Sequence, residues 1–192
     1  SASFMGVFKT SKDYLQPVLA AWVLSASFFP TLEAARREAV IIGLVYFVIY
    51  LLTSFASREA DSISRRFRSL IKAVNLTYLA GIALLLAAGI LTFLGLETLA
   101  VICFIGMFLI NNIRRPINVG VISDQISSRI MASGLSAESQ LTTLFTALFA
   151  PLLGYMVDRF GLGNGLAMLG LVMFVLFIPV RVLDFDPDED AL

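Results

Sequence analysis

The chain contains six long segments without a charged residue, and its charges stand almost only between them. The uncharged segments are 14–32, 39–57, 73–96, 98–113, 139–157 and 160–180. About 20 apolar residues in a helix cross a bilayer core of about 30 Å. A helix also satisfies its own backbone hydrogen bonds, which lipid cannot do. The pattern therefore predicts an all-α membrane protein with six transmembrane helices.

Composition argues against the alternative, a soluble bundle whose helices are buried. The hydrophobic content is 58% and the mean hydropathy is +0.88. Six spans use almost all of the 192 residues, so we expect one six-helix bundle over 1–183 and an acidic cytoplasmic tail over 184–192. The helices are predicted near 11–29, 37–57, 70–95, 98–122, 135–157 and 163–181.

The first and fourth predicted helices extend beyond what an uncharged segment alone indicates. The polar segment 9–17 is amphipathic, so we expect it to lie at the membrane surface before the first helix turns inward. The uncharged part of the fourth helix, 98–113, is too short for the bilayer core at about 1.5 Å per residue. We therefore expect the helix to continue past Arg115 to about Ile122, with a kink at Pro116.

Basic residues set the orientation, because cytoplasmic loops carry the excess of lysine and arginine. With a cytoplasmic N-terminus, the cytoplasmic side holds nine of the basic residues, and the other side holds Arg36, Arg37 and Arg159. The nine are Lys9, Lys12, Arg58, Arg65, Arg66, Arg68, Lys72, Arg129 and Arg181. We expect both termini to be cytoplasmic, in an integral membrane protein of the bacterial inner membrane.

Several classes of chemistry lack their residues in this sequence. The chain has no histidine and a single cysteine, Cys103, which stands in an apolar segment. Neither a metal cluster nor a disulfide framework is indicated. There is also no nucleophile–base pair and no phosphate-binding glycine loop. We expect no enzymatic activity, no cofactor, no metal and no nucleic-acid partner.

Two charged clusters follow the second helix of each set of three. One runs from Ser57 through Asp61 to Arg65 and Arg66, and the other is Gly154-Tyr-Met-Val-Asp158-Arg159-Phe-Gly161. Each has a small residue four positions before its aspartate and another three positions after it. Because three helices are an odd number, the second set would be inverted in the membrane, and inverted repeats are typical of secondary transporters. Chance similarity of two helix junctions is the alternative.

The second cluster resembles the loop motif G-x-x-x-D-R/K-x-G of the major facilitator superfamily. The copy at Ser57–Arg66 keeps Asp61, Arg65 and Arg66 but has serine in place of both glycines. Residues 128–136, followed by Pro151-x-x-Gly154, also resemble the segment before the eleventh helix of that family. The resemblance covers all six spans and matches the C-terminal half of a twelve-helix facilitator.

The resemblance implies a fold of two inverted three-helix repeats, half of a secondary transporter that moves a small solute by alternating access. Its partners would be membrane lipid, the solute and a second six-helix half, either a missing N-terminal half or another chain. The charged clusters would form gating latches through Asp61, Arg65, Arg66, Asp158 and Arg159; basic topology signals are the alternative. A non-transporting sensor or assembly protein on a degenerate scaffold of this family is the rival function.

Polar residues within the predicted helices mark the candidate substrate site, because polar groups in a membrane usually face a cavity or a partner. The fourth helix carries the most polar face, with Asn111, Arg115 and Asn118 at helical spacing. Arg115 could instead extend to the headgroups, although Arg114 is better placed to do so. In the family the first, second, fourth and fifth helices line the cavity, and the third and sixth face lipid. The predicted substrate-binding residues are Tyr46, Tyr50, Asn111, Asn112, Arg115, Asn118, Gln140 and Thr143.

Overall fold

The computed structural model describes residues 1–25, 33–66, 69–127 and 129–181, without the side chains of 60–66 and of a few single positions. Every regular element in these ranges is helical. The α-helices are α1 (Ala2–Ser11), α2 (Leu15–Ser25), α3 (Ala34–Arg66), α4 (Leu70–Phe93), α5 (Glu97–Gln125), α6 (Met131–Phe160) and α7 (Leu162–Val180). The predicted tail, 184–192, lies outside the described residues.

Five helices are long and apolar enough to cross a membrane, which supports an integral membrane protein. The candidate spans are Ala35–Glu59, Leu70–Phe93, Glu97–Ser123, Met131–Phe160 and Leu162–Pro179. They correspond to the second to sixth predicted helices. The fourth predicted helix does continue past Pro116, as α5 ends at Gln125.

The first predicted helix differs from the prediction. It begins at Ala2 rather than near residue 11, and a 3₁₀ turn at Lys12–Tyr14 divides it into α1 and α2. Pro17 has no N–H to donate to the Asp13 carbonyl, and the tighter turn, in which the Leu15 N–H bonds to the Lys12 carbonyl, accommodates this. The segment 9–17 is therefore divided among α1, the 3₁₀ turn and α2 and is not an element of its own. Residues 26–29 of that prediction lie outside the described residues.

The helices pack in alternating directions. Apart from α1 and α2, which continue in one direction through the 3₁₀ turn, consecutive helices alternate in direction. Thus α1, α2, α4 and α6 run one way, and α3, α5 and α7 run the other. Contacts confirm the register: Asn118 donates a hydrogen bond to the Ser1 hydroxyl, and Trp22 donates one of 2.8 Å to Thr98. We call the two ends of the bundle the Ser1 end, which includes the α3–α4 and α5–α6 junctions, and the Gly161 end, which includes the α4–α5 and α6–α7 junctions.

Two glycines shape the Gly161 end. Gly95 has φ of 71°, and the N–H groups of Gly95 and Leu96 bond to the carbonyls of Thr92 and Leu91. This is a Schellman motif, which ends α4. The next helix, α5, begins at Glu97, two residues after Gly95. Gly161, with φ of 87°, is the single residue between α6 and α7. Both positions lie in the left-handed region that favours glycine.

Small residues bring α4 and α7 into close contact. A Cβ atom at Gly163 would lie 2.8 Å from the Gly89 carbonyl oxygen, and one at Gly170 would lie 2.7 Å from the Leu86 side chain. Close backbone approach through small residues is a common way to pack helices in membranes. α7 also carries an exposed apolar stripe of Leu171, Phe174, Val175 and Ile178.

Candidate functional site

A polar cavity lies in the half of the bundle nearest the Ser1 end. Its volume is about 540 Å³, within the size range of small-molecule sites. Three helical segments line it: α1 with the 3₁₀ turn, α5 and α6. The lining residues are Met5, Phe8, Lys9, Lys12, Asn111, Arg115, Asn118, Val119, Leu135, Glu138, Ser139 and Thr142.

Helical periodicity explains why these residues share one cavity. The lining residues of α1 and those of α6 each follow the spacing i, i+3, i+4, i+7, which places them on one face of their helix. On α5 the polar face predicted from the sequence, Asn111, Arg115 and Asn118, points into the cavity. Three polar helix faces therefore converge within an otherwise apolar bundle.

The cavity holds more positive than negative charge. Arg115 and Lys9 are exposed, and neither forms an ion pair with another described residue. The Lys12 ammonium lies 2.6 Å from the Asp13 carboxylate, and Glu138 supplies the carboxylate that lines the cavity. Apart from the Lys12–Asp13 pair, the cavity lining has two positive residues, Lys9 and Arg115, and one negative residue, Glu138.

Asn111 is a buried polar residue of this cavity whose side-chain oxygen, Oδ1, has no hydrogen-bond partner among the described residues. Its side chain is 9% exposed. A buried amide oxygen without a partner is costly, so a bound donor from water or solute would stabilise it. Asn118 is also buried, but its amide is occupied by the Ser1 hydroxyl.

Arg114, beside Arg115 in sequence, lies on another face of α5. It is fully buried, with its guanidinium between the rings of Phe4 and Tyr78 at 4.8 and 5.2 Å from their centroids. Its Nη1 donates to the Val74 carbonyl and, at 2.9 Å, to the Thr77 hydroxyl. The expectation that Arg114 extends to the headgroups is wrong, because α5 turns this residue toward α1 and α4.

The other predicted substrate residues do not line the cavity. Asn112 donates to the Phe108 carbonyl at 2.9 Å and accepts a long bond of 3.4 Å from Ser57 of α3. Tyr46 and Tyr50 stack on each other along α3 with ring centroids 6.3 Å apart, and Tyr50 is 66% exposed. Both residues predicted on α6, Gln140 and Thr143, are exposed and do not line the cavity, although Thr143 donates to the Ser139 carbonyl at 3.1 Å.

The sequence reasoning missed Lys9, Lys12, Glu138, Ser139 and Thr142. The signal was present in the shared helical spacing of Leu135, Glu138, Ser139 and Thr142. The sequence pattern places Lys9 and Lys12 in a segment at the membrane surface and Glu138 at the start of the fifth predicted helix, because these charges flank uncharged segments. The helices extend beyond those segments, so side chains near their ends still face the interior.

The two charged clusters lie at opposite ends of the bundle. Asp61 is near the end of α3 at the Ser1 end, whereas Asp158 and Arg159 are near the end of α6 at the Gly161 end. Asp158 and Arg159 are exposed and form no ion pair with another described residue. The side chains of Asp61, Arg65 and Arg66 lie outside the described residues.

Comparisons with protein-family models, with curated proteins and with solved structures gave no match to this chain.

Proposed function

We propose that this chain is half of a secondary transporter of the major facilitator type, which moves a small solute across the membrane by alternating access. The observation that carries the proposal is the polar cavity between α1, α5 and α6. Polar side chains in a membrane protein are costly unless they face a cavity or a partner. Here they converge on one space, and Arg115 is exposed within it.

Further support comes from the arrangement of the chain. The N-terminal pair α1–α2 together with the five long apolar helices would supply six spans. The two aspartate clusters lie at the C-terminal ends of α3 and α6, which are at opposite ends of the bundle. Two three-helix units inverted relative to each other would produce this placement. A second six-helix half would close the open side of the cavity, since secondary transporters bind solute between two such halves.

Alternating access can be tested without knowing the solute. Ser139 lines the cavity and is exposed, so Ser139→Cys in a Cys103→Ser background gives a single reporter thiol. The protein would be expressed from its natural reading frame and treated with a membrane-impermeant thiol reagent, in right-side-out and in inside-out vesicles. We expect the thiol to react from both sides, because a carrier exposes its site to each side in turn.

A matched control on the same helix is Leu144→Cys. Leu144 is 64% exposed but does not line the cavity, so its thiol should face lipid and stay unreactive from either side. Reaction of Ser139→Cys from one side alone would contradict transport. It would favour the rival function, a sensor or assembly protein with a fixed cavity.

A further inference from the structure

We propose that the cavity binds a small organic anion that also carries a hydrogen-bond donor, such as a hydroxylated carboxylate. This inference rests on the proposed function and names the class of its solute. The cavity is large enough for a metabolite at about 540 Å³, and its charged lining is not balanced.

The charge argument depends on Lys9 and Arg115. They approach the cavity from two different helices, and neither has an ion-pair partner among the described residues. Lys12 is already paired with Asp13, which leaves Glu138 as the counter-charge. One positive charge therefore remains, and a monoanion would neutralise it. A guanidinium can also hold a carboxylate through two parallel hydrogen bonds.

The donor argument depends on Asn111 and Glu138. The Asn111 Oδ1 atom is buried and has no partner in the part of the chain that the structure describes, and the Glu138 carboxylate accepts hydrogen bonds. A purely anionic ligand such as a halide would leave both acceptors unsatisfied. A solute with hydroxyl or amino groups beside its carboxylate would satisfy them, which favours a hydroxylated carboxylate over a simple inorganic ion.

The sign of the cavity potential is measured with two thiol reagents of equal size, one anionic and one cationic, on Ser139→Cys in the Cys103→Ser background. We expect the anionic reagent to react faster. Removing one cation, in Arg115→Gln or Lys9→Gln, should lower the anionic-to-cationic rate ratio by about fivefold at low salt. Arg115→Lys should retain the ratio because it retains the charge.

The matched control is Arg181→Gln, the same change at an exposed residue beyond the end of α7 and outside the cavity. It should leave the ratio unchanged. At constant ionic strength, gluconate in millimolar excess should slow labelling of the reporter thiol, whereas sorbitol, which lacks the carboxylate, should not.

Equal rates for the two reagents would overturn the proposal that the solute is an anion. The same holds if Arg181→Gln lowers the rate ratio as much as Arg115→Gln does. If gluconate and sorbitol have equal effects, or if neither has an effect, the proposal that the solute is a hydroxylated carboxylate is wrong. Access to Ser139→Cys from both membrane sides is a separate readout. The solute class can therefore fail while the proposed transport stands, and the reverse can also be observed.

Discussion

The guanidinium carbon of Arg114 lies 4.8 Å from the centroid of the Phe4 ring, although the two residues are on different helices. Tyr78 contributes a second ring from α4, so Arg114 joins α1, α4 and α5. Cation–π contacts of desolvated groups contribute about 2 kcal/mol. Burial of the charge opposes this, because its Nε and Nη2 atoms have no hydrogen-bond partner among the described residues.

We predict that Arg114→Met leaves stability unchanged or raises it, whereas Arg114→Ala lowers it by about 2–4 kcal/mol. Methionine fills the space between the rings without a buried charge, and alanine leaves a cavity. The Thr77 hydroxyl keeps its bonds to the Ala73 and Val74 carbonyls in either variant, so no polar group is left unpaired. Unfolding in detergent measures both effects. Equal losses in the two variants would show that the charge itself stabilises the bundle.

Arg114 and Arg115 also show which features the sequence alone can predict and which it cannot. Uncharged segments locate the five long helices, because the length of a bilayer span and the cost of charge within it leave few alternatives. Helical periodicity likewise places Asn111, Arg115 and Asn118 on one face. That Arg114 is the buried arginine depends on Phe4 and Tyr78, which lie 110 and 36 positions away in sequence. No local pattern predicts such contacts.

The polar residues of α6 illustrate a second limit. Ser139 and Thr142 line the cavity, whereas the neighbouring Gln140 and Thr143 do not. All four side chains are polar, so composition does not distinguish them. Which of them face the cavity depends on packing against α1, where a Cβ atom at Gly6 would lie 2.7 Å from the Phe145 Cβ and 3.1 Å from the Thr146 nitrogen. The start of the first helix was missed for a related reason, since Phe4 and Phe8 are buried through contacts with distant helices.

Glycine packing gives a prediction with a matched control. We predict that Gly163→Ala destabilises the protein by about 1–3 kcal/mol, because the new Cβ would press against the backbone of α4. Gly43→Ala makes the same change in α3, where a Cβ would meet no atom of the described residues within 4 Å. It should be neutral or stabilise by up to about 1 kcal/mol, since alanine favours a helix. Thermal unfolding in detergent compares the two, and equal destabilisation would argue against close α4–α7 contact.

Orientation gives a third prediction. The α3–α4 junction lies in the region rich in arginine, so the Ser1 end should be cytoplasmic. Single cysteines at Ser62 and Ala35, in a Cys103→Ser background, report the two ends. In intact cells an impermeant thiol reagent should label Ala35→Cys and not Ser62→Cys. The opposite pattern would reverse the orientation and place the cavity toward the outside.

The last prediction concerns the two aspartates at opposite ends. If each holds its own end closed through a latch, Asp61→Asn should favour opening at the Ser1 end, and Asp158→Asn should favour opening at the Gly161 end. Protein abundance should hardly change, because an exposed ion pair contributes about 0–1 kcal/mol.

The reporter Ser139→Cys measures the balance between the two open states as the ratio of labelling from the two sides. The two variants should move this ratio in opposite directions. Arg36→Gln, an exposed change at the Gly161 end outside both clusters, is the control and should leave it unchanged. Shifts in the same direction, or none, would reduce both clusters to signals that set membrane topology.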